Sequence, residues 1–208
     1  MPSVEITKYF DATEFRDTRE DLEFAVSMIS EPKVAIDCGC GAGADISYLV
    51  KNGFSVYGFD IEEESISRCL SRFEGVDNVV LSKSSFRMFD YPKASLVVAD
   101  ASLFFCPATD FEIVWEKIYR CLHLNGVFCG SLLGLEDSMA EPGENPSVFW
   151  PEVTAFEKSE VKALFKNFEV LRFNVHKSTG KTPQGDIHNW HVYRVVAKKP
   201  SNSFKTDT

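Results

Sequence analysis

Apolar and polar positions along the chain follow two periods. Lys33 to Cys38, Phe54 to Asp60, Asn78 to Leu81, Ser95 to Ala99 and Gly126 to Leu133 are short, nearly continuous apolar runs. They read as strands buried on both faces, which a parallel sheet covered by helices requires. Between and around them, Leu22, Ala25, Val26 and Ile29 keep the i, i+3, i+4, i+7 spacing of a helix with one face on a core. Ile66, Cys69, Leu70 and Phe73 repeat it, as do Phe111, Val114, Trp115 and Ile118, and Val161, Leu164, Phe165 and Phe168. Glu169 to His176 and His188 to Lys198 read as two last strands separated by the turn-rich STGKTPQGDI. The expected fold is α/β, a three-layer Rossmann-like sheet of seven strands, mostly parallel and closed by an antiparallel C-terminal hairpin. Residues 1–200 are expected to form a single domain that begins with a helical segment over 1–30, and 201–208 a frayed tail. Residues 135–150, LEDSMAEPGENPSVFW, are irregular over a length uncommon unless functional, a candidate active-site loop.

The chemistry starts where the first strand ends. Asp37-Cys38-Gly39-Cys40-Gly41-Ala42-Gly43 leads straight into a helix, and the second strand ends in Asp60, 21 positions after Gly39. Glycines let the chain turn sharply and let a ligand approach without meeting a β-carbon. The helix start behind them favours a phosphate or a carboxylate. An acid at the end of the second strand can accept hydrogen bonds from both hydroxyls of a ribose, or it can simply cap the helix that starts near Glu62. Two ligands fit. Gly39, Gly41 and Ala44 satisfy the dinucleotide spacing G-x-G-x-x-G/A, which points to a nicotinamide-dependent dehydrogenase. The alternating GxGxG, the acid Asp37 two residues before it and the terminal hairpin favour S-adenosylmethionine. That cofactor carries an ammonium that an acid welcomes, whereas a pyrophosphate would be repelled.

On these residues the sequence resembles the class I S-adenosylmethionine-dependent methyltransferases. VAIDCGCGAGADISYLV looks like their first motif and VYGFDIEEESI like their acidic second-strand motif. NVVLSKSSF, ASLVVADASLFF and IYRCLHLNGVFCGSLLG look like the three that follow. Among subfamilies the likeness is to small single-domain enzymes of the tellurite-resistance and thiopurine type. The resemblance implies that Gly39, Cys40, Gly41 and Gly43 wrap the methionine part, and that Asp37 orients the loop or the amino group. Asp60 is expected to hold the ribose, Ile61 and Phe86 to flank the adenine, and Ala99 and Asp100 to face the methionine amino end. Ser85 stands where the family often has an acid, and Asn125-Gly126 replaces the common Gly-Gly.

Methyl transfer from a sulfonium is an in-line displacement that needs alignment, exclusion of water and, for a protic acceptor, a base. The site of a doubly wound sheet lies beyond the carboxyl ends of its parallel strands, so the loop of the final hairpin belongs to that edge. His176 and His188 are the candidate bases, set against the structural role that strand-end histidines usually have. Alternation puts His188 and Trp190 on one face, with His191 and Tyr193 off it. Arg19, Trp150 and Trp190 are candidate substrate contacts, and Arg16 or Arg19 could meet a carboxylate.

Composition narrows the partners. Twenty-two Lys and Arg against 31 Asp and Glu give a net charge of -9, which disfavours nucleic acid and leaves a small-molecule methyl acceptor. No apolar run reaches the length of a membrane helix and the start lacks the pattern of a secretory signal, so a cytoplasmic location is expected. The six cysteines form no CxxC pair and read as reduced, packed thiols, with no metal expected. Monomer and homodimer both remain open, as does a protein that binds the cofactor without catalysis.

Overall fold

The computed structural model describes residues 4–140, 153–181 and 187–201. The chain begins with two helices, α1 (Val4–Thr13) and α2 (Glu20–Ser27), and then alternates strand with helix. In chain order these are β1 (Val34–Cys38), α3 (Ala44–Lys51), β2 (Ser55–Asp60), α4 (Glu63–Arg72), β3 (Val79–Lys83), β4 (Ala94–Ala99), α5 (Ala108–Cys121) and β5 (Leu122–Gly134). The two-residue β6 (Ala155–Phe156), α6 (Lys158–Leu164), β7 (Glu169–Lys181) and β8 (Ile187–Lys198) follow.

The strands lie in the order β3-β2-β1-β4-β5-β8-β7, seven along the path, with β6 as a short eighth pairing on β5. Pairs from β3 to β5 are parallel, while β8 runs antiparallel to both β5 and β7. This is the expected Rossmann-like sheet with its closing hairpin. The chain winds outward from β1 in both directions, so β1 and β4 flank the switch point at whose carboxyl edge a ligand crevice forms.

Alternation along each strand divides the core in two. Ala35, Leu96, Val98, Val127, Cys129 and Val196 face α2 and α3 through Leu22, Ala25, Ile46 and Leu49. Ile36, Val97, Ala99, Phe128, Tyr193 and Val195 face α5 and α6 through Phe111, Val114, Ile118, Val161 and Phe165. On that second side Trp115 packs on Phe128 and Phe165 at 5.1 and 5.0 Å, and its indole N–H donates to Leu164 O at 3.1 Å. The predicted stripes are these faces, except that Leu70, expected inward, is 58% exposed.

Two strands outrun their sequence boundaries. The segment Ser178–Lys181, read as turn, continues β7: Thr179 pairs with Asn189 side chain to side chain at 2.8 Å, and the Trp190 ring lies across Gly180. Leu122–Asn125 joins β5 because Asn125 adopts φ +64°, a left-handed turn that asparagine tolerates, and exchanges backbone hydrogen bonds with Lys199 through itself and Gly126. Trp150 and residues 141–150 of the candidate loop lie outside the described residues, as does the tail beyond Ser201. Among the described residues no helix is long and apolar enough to cross a membrane.

Candidate active site

The glycine loop is a main-chain construction. Gly39 and Cys40 both donate their amides to Phe59 O at 2.8 and 2.9 Å, which hangs the loop on the neighbouring strand. Gly39 has φ +71°, and a β-carbon there would stand 2.6 Å from Ser102 Cβ. Gly43 has φ +81°, with the Phe73 ring 2.7 Å from where its β-carbon would be. Neither position admits a side chain. From the far side, Ser65 Oγ and Cys69 Sγ donate to Gly41 O at 2.6 and 3.2 Å, and Arg72 donates to Ala42 O at 2.9 Å. Cys40 is buried beside the loop, and its thiol is raised well above the ordinary range by its hydrogen bond with Cys69 and by burial.

Asp60 takes the second of the two roles the sequence allowed, at the start of α4, and adds one that the sequence did not mark. Its Oδ1 accepts the Glu62 amide and its Oδ2 the Gly41 amide, each at 2.9 Å, so one carboxylate caps α4 and braces the glycine loop. Burial raises its pKa, and the two amides pull it back. Ile61 follows with 53% exposure, an apolar side chain left open beside Asp60. Phe86 stacks edge-on against Phe59 at 5.5 Å and reaches within 3.8 Å of the Gly39 Cβ position, so it joins the core and borders the loop at once. Ser85 Oγ accepts the Met88 amide at 3.3 Å, which makes it the cap of a tight turn.

Four acids converge on the switch point: Asp37, Asp45, Asp60 and Asp100. Asp37 is 3% exposed and its Oδ2 has no hydrogen-bond partner among the described residues. Burial, then the neighbouring Asp45, raise its pKa well above the carboxylate range. Arginines from the segment between α1 and α2 answer the other charges. Arg16 pairs with Asp45 at 2.6 Å and Arg19 with Asp100. Phe10 of α1 packs with Ile6 on Ala42, so the N-terminal helix lies over the loop. Ala99 is fully buried, and past Asp100 the chain is pinned by Ala101 N–H on Ser131 Oγ at 2.7 Å and by Ser102 Oγ–H on Cys38 O at 2.6 Å. Arg19, Asp45, Asp100, Gly130 and Arg194 border a narrow crevice at the end of β4, level with Gly130 of β5.

The hairpin side is made differently. Asp137, 1% exposed, accepts from His188 Nε2 at 3.0 Å, from the His191 amide at 2.8 Å and from the Met139 amide at 3.0 Å. His191 is buried, its Nδ1 accepting the Glu136 amide at 3.2 Å, and it packs on Tyr193 at 4.9 Å. Burial lowers the pKa of His191. Trp190 lies 4.8 Å from His188. His176 is exposed and bonds Ser178 Oγ at 2.9 Å. Sequence alone had singled out neither Asp45, Ser102, Ser131 nor Asp137, whose importance comes from partners 29 to 64 positions away that no local pattern marks.

Residues 36–130 match the family model described as a methyltransferase domain. This is a class I S-adenosylmethionine-dependent methyltransferase domain. The matched span covers β1 through most of β5, the part that holds the glycine loop, Asp60 and Asp100. S-adenosylmethionine is the cofactor of the domain. A carboxy-S-adenosyl-L-methionine synthase from Haemophilus ducreyi is 30% identical over 110 residues, 50% of this chain and 45% of that protein. The match therefore spans less than half of that relative. TehB from Haemophilus influenzae superposes with a TM-score of 0.74 at 18% identity, over 93% of this chain and 67% of that one. A Burkholderia thailandensis 1,6-didemethyltoxoflavin-N1-methyltransferase, solved with bound 1,6-didemethyltoxoflavin and S-adenosylhomocysteine, gives 0.60 at 16% identity, over 94% and 88%. At these identities the two structures attest the fold of the methyltransferase domain.

Proposed function

We propose that the protein is an enzyme that transfers a methyl group from S-adenosylmethionine to a small-molecule acceptor. The observation that carries the reading is the orphaned, buried Asp37 oxygen at the mouth of the glycine loop. A buried carboxylate without a partner is expensive unless a ligand completes it, and an ammonium is the complement it lacks. The pyrophosphate of a dinucleotide would instead meet Asp37, Asp45, Asp60 and Asp100 together, which sets the dehydrogenase reading aside.

When bound, the cofactor supplies an electrophilic methyl on a sulfonium, and its departure as a thioether needs no proton. The chain's part is to bind, orient and enclose. Gly39, Cys40, Gly41 and Gly43 bring backbone close to the methionine part, while Asp37 and Asp100 take its ammonium. Arg16 and Arg19 lie ready for its carboxylate. Asp60, with lone pairs beyond those its two amides use, takes the ribose hydroxyls, and Ile61, Phe86 and Ser85 border the adenine. The acceptor enters over Asp100, Gly130 and Arg194. The -9 charge supports a small molecule over a nucleic acid, and six buried thiols suit a reducing compartment such as the cytoplasm.

Calorimetric titration with S-adenosylmethionine, S-adenosylhomocysteine and NADH tests the reading. Binding of both adenosyl compounds and none of NADH is expected, followed by transfer of labelled methyl to a member of an acceptor panel. Binding of NADH alone overturns it, and adenosyl binding with no transfer leaves a cofactor-binding protein in place of an enzyme.

A further inference from the structure

We infer that the methyl acceptor carries a carboxylate of its own, away from the atom that is methylated, and that Arg194 is the side chain that holds it; the inference rests on the methyl-transfer reading above. The crevice at the end of β4 is bordered by Asp21, Asp45 and Asp100 and by Arg19 and Arg194. Each of these acids is matched to an arginine: Asp21 to Arg172 at 3.2 Å, Asp45 to Arg16 at 2.6 Å, and Asp100 to Arg19. Among the described residues, Arg194 is the cation of the crevice left over. It is exposed and has no carboxylate or hydrogen-bond acceptor among those residues. Its register partners, Ser131 on β5 and Asn174 on β7, carry no charge. Burial, then Arg16, and further Arg194 lower the pKa of Arg19, so the two guanidinium groups of the crevice feel each other. Like charges facing one crevice, with no acid to spare, are a cost that a bound anion removes.

The cofactor's single carboxylate has nearer partners. Arg16, whose buried Nη1 has no hydrogen-bond partner among the described residues, and Arg19 both stand on the segment between α1 and α2, on the glycine-loop side. Arg194 stands across the crevice on β8. Ala99 pairs with Gly130, and Arg194 pairs with Ser131, the next residue along β5. Arg194 is therefore level with Asp100 and two strand spacings from it, about 10 Å across the sheet. The arginine side chain itself reaches over part of that distance, and a single-ring or short-chain acid fills the rest. Arg194 has no need to touch the reacting atom. A guanidinium presents a planar fork that takes a carboxylate through two parallel hydrogen bonds, so the contact fixes orientation as well as charge. Holding a remote group in this way aligns the nucleophile at the Asp100 end for in-line displacement. The -9 net charge repels anions over the surface at large, which confines the preference for an acid to this one cation.

Matched acids and amides test the inference. The probes are para-hydroxybenzoate against para-hydroxybenzamide, para-aminobenzoate against para-aminobenzamide, and thioglycolate against thioglycolamide. Each pair shares a nucleophile and differs by one charge. Calorimetry on protein saturated with S-adenosylhomocysteine reads probe binding without turnover, and labelled-methyl transfer reads KM. In at least one pair the acid should bind about 10- to 100-fold more tightly than its amide. Arg194→Met, which keeps an unbranched stem without the charge, should erase that preference through weaker binding of the acid. The same variant should hold S-adenosylmethionine affinity within about threefold, because the cofactor's partners lie across the crevice. Arg194→Lys, which keeps the charge without the fork, should retain part of the preference. An acid preferred in no pair overturns the inference, and so does a preference that survives Arg194→Met. Weakened S-adenosylmethionine binding in Arg194→Met assigns Arg194 to the cofactor's carboxylate and overturns it too. Failure of the unaltered protein to bind S-adenosylmethionine and S-adenosylhomocysteine overturns the methyl-transfer reading instead.

Discussion

The carboxyl edge of the sheet is built in two ways. Over β1, β2 and β4 the scaffold is main chain: amides of Gly39, Cys40 and Gly41 are fixed by Phe59 O and Asp60, and carbonyls of Gly41 and Ala42 by Ser65, Cys69 and Arg72. Over β5 and β8 it is side chain on side chain and side chain on amide, with Asp137, His188, His191 and Ser138 locking one turn to one strand. A backbone cradle suits a ligand that never changes, since it tolerates any neighbour so long as the glycines stay. A side-chain cluster can be revised residue by residue, which suits the end that meets the acceptor. The two ends should therefore fail separately.

The hardest break is Gly39→Val. It puts a branched side chain into φ +71° and against Ser102, so a loss of about 3 kcal/mol or more in stability is expected, with cofactor binding abolished. Urea unfolding and calorimetry check it, and retained binding would mean the loop is not the cradle. Asp60→Ala comes next. It frees two amides and removes the acid expected at the ribose, a change of about 2 kcal/mol in stability and about 100-fold in affinity. Affinity unchanged by Asp60→Ala would leave Asp60 as a cap alone.

Asp37→Asn separates binding from folding. Burial holds the Asp37 pKa above its unfolded value, so the folded state favours the proton. Its contribution to stability is then complete below the unfolded pKa and is lost as pH rises through the folded one. Replacing it with Asn removes that loss, and the variant should melt higher than the unaltered protein near neutral pH. Cofactor affinity should nevertheless fall about 10- to 100-fold, because the ammonium loses a charged partner. Binding of an ammonium to the protonated acid also expels a proton. Wild-type titrations in buffers of different ionisation heat should differ, and those of Asp37→Asn should coincide. Equal buffer dependence in both would put the proton elsewhere.

The contrast between the two ends also explains what the sequence could say. Gly39, Gly41, Gly43 and Asp60 belong to one strand-turn-helix-strand unit, so their spacing alone carried the cofactor end and the winding of the sheet. His188 and Asp137 stand 51 positions apart, and Arg16 and Asp45 stand 29 apart. Nothing around Asp137 distinguishes it from a loop acid until β8 is folded beside it. The β7 extension was hidden likewise: STGK is turn chemistry by composition, and the ladder to β8 with Trp190 over Gly180 overrides it. Leu70 kept the helical period yet faces solvent, because periodicity marks a stripe and not its width.

The smallest effect at the cofactor is the sharpest probe of independence. Gly134 closes β5, and a β-carbon there would lie 2.4 Å from His191 Nδ1. The imidazole is buried between Gly134 and Tyr193 and has little room to give. Gly134→Ala must therefore displace the ring, loosen the Glu136 amide from Nδ1 and shift the turn that carries Asp137. A stability loss of about 1–3 kcal/mol is expected by denaturant unfolding. Cofactor affinity should stay within about twofold by calorimetry, because no bond of the glycine loop reaches that turn. Acceptor turnover should fall through a change in kcat as the turn at Asp137 and the His188 ring it holds are displaced. If Gly134→Ala weakens the cofactor as Asp60→Ala does, the two ends form one cooperative site and the division drawn between them fails.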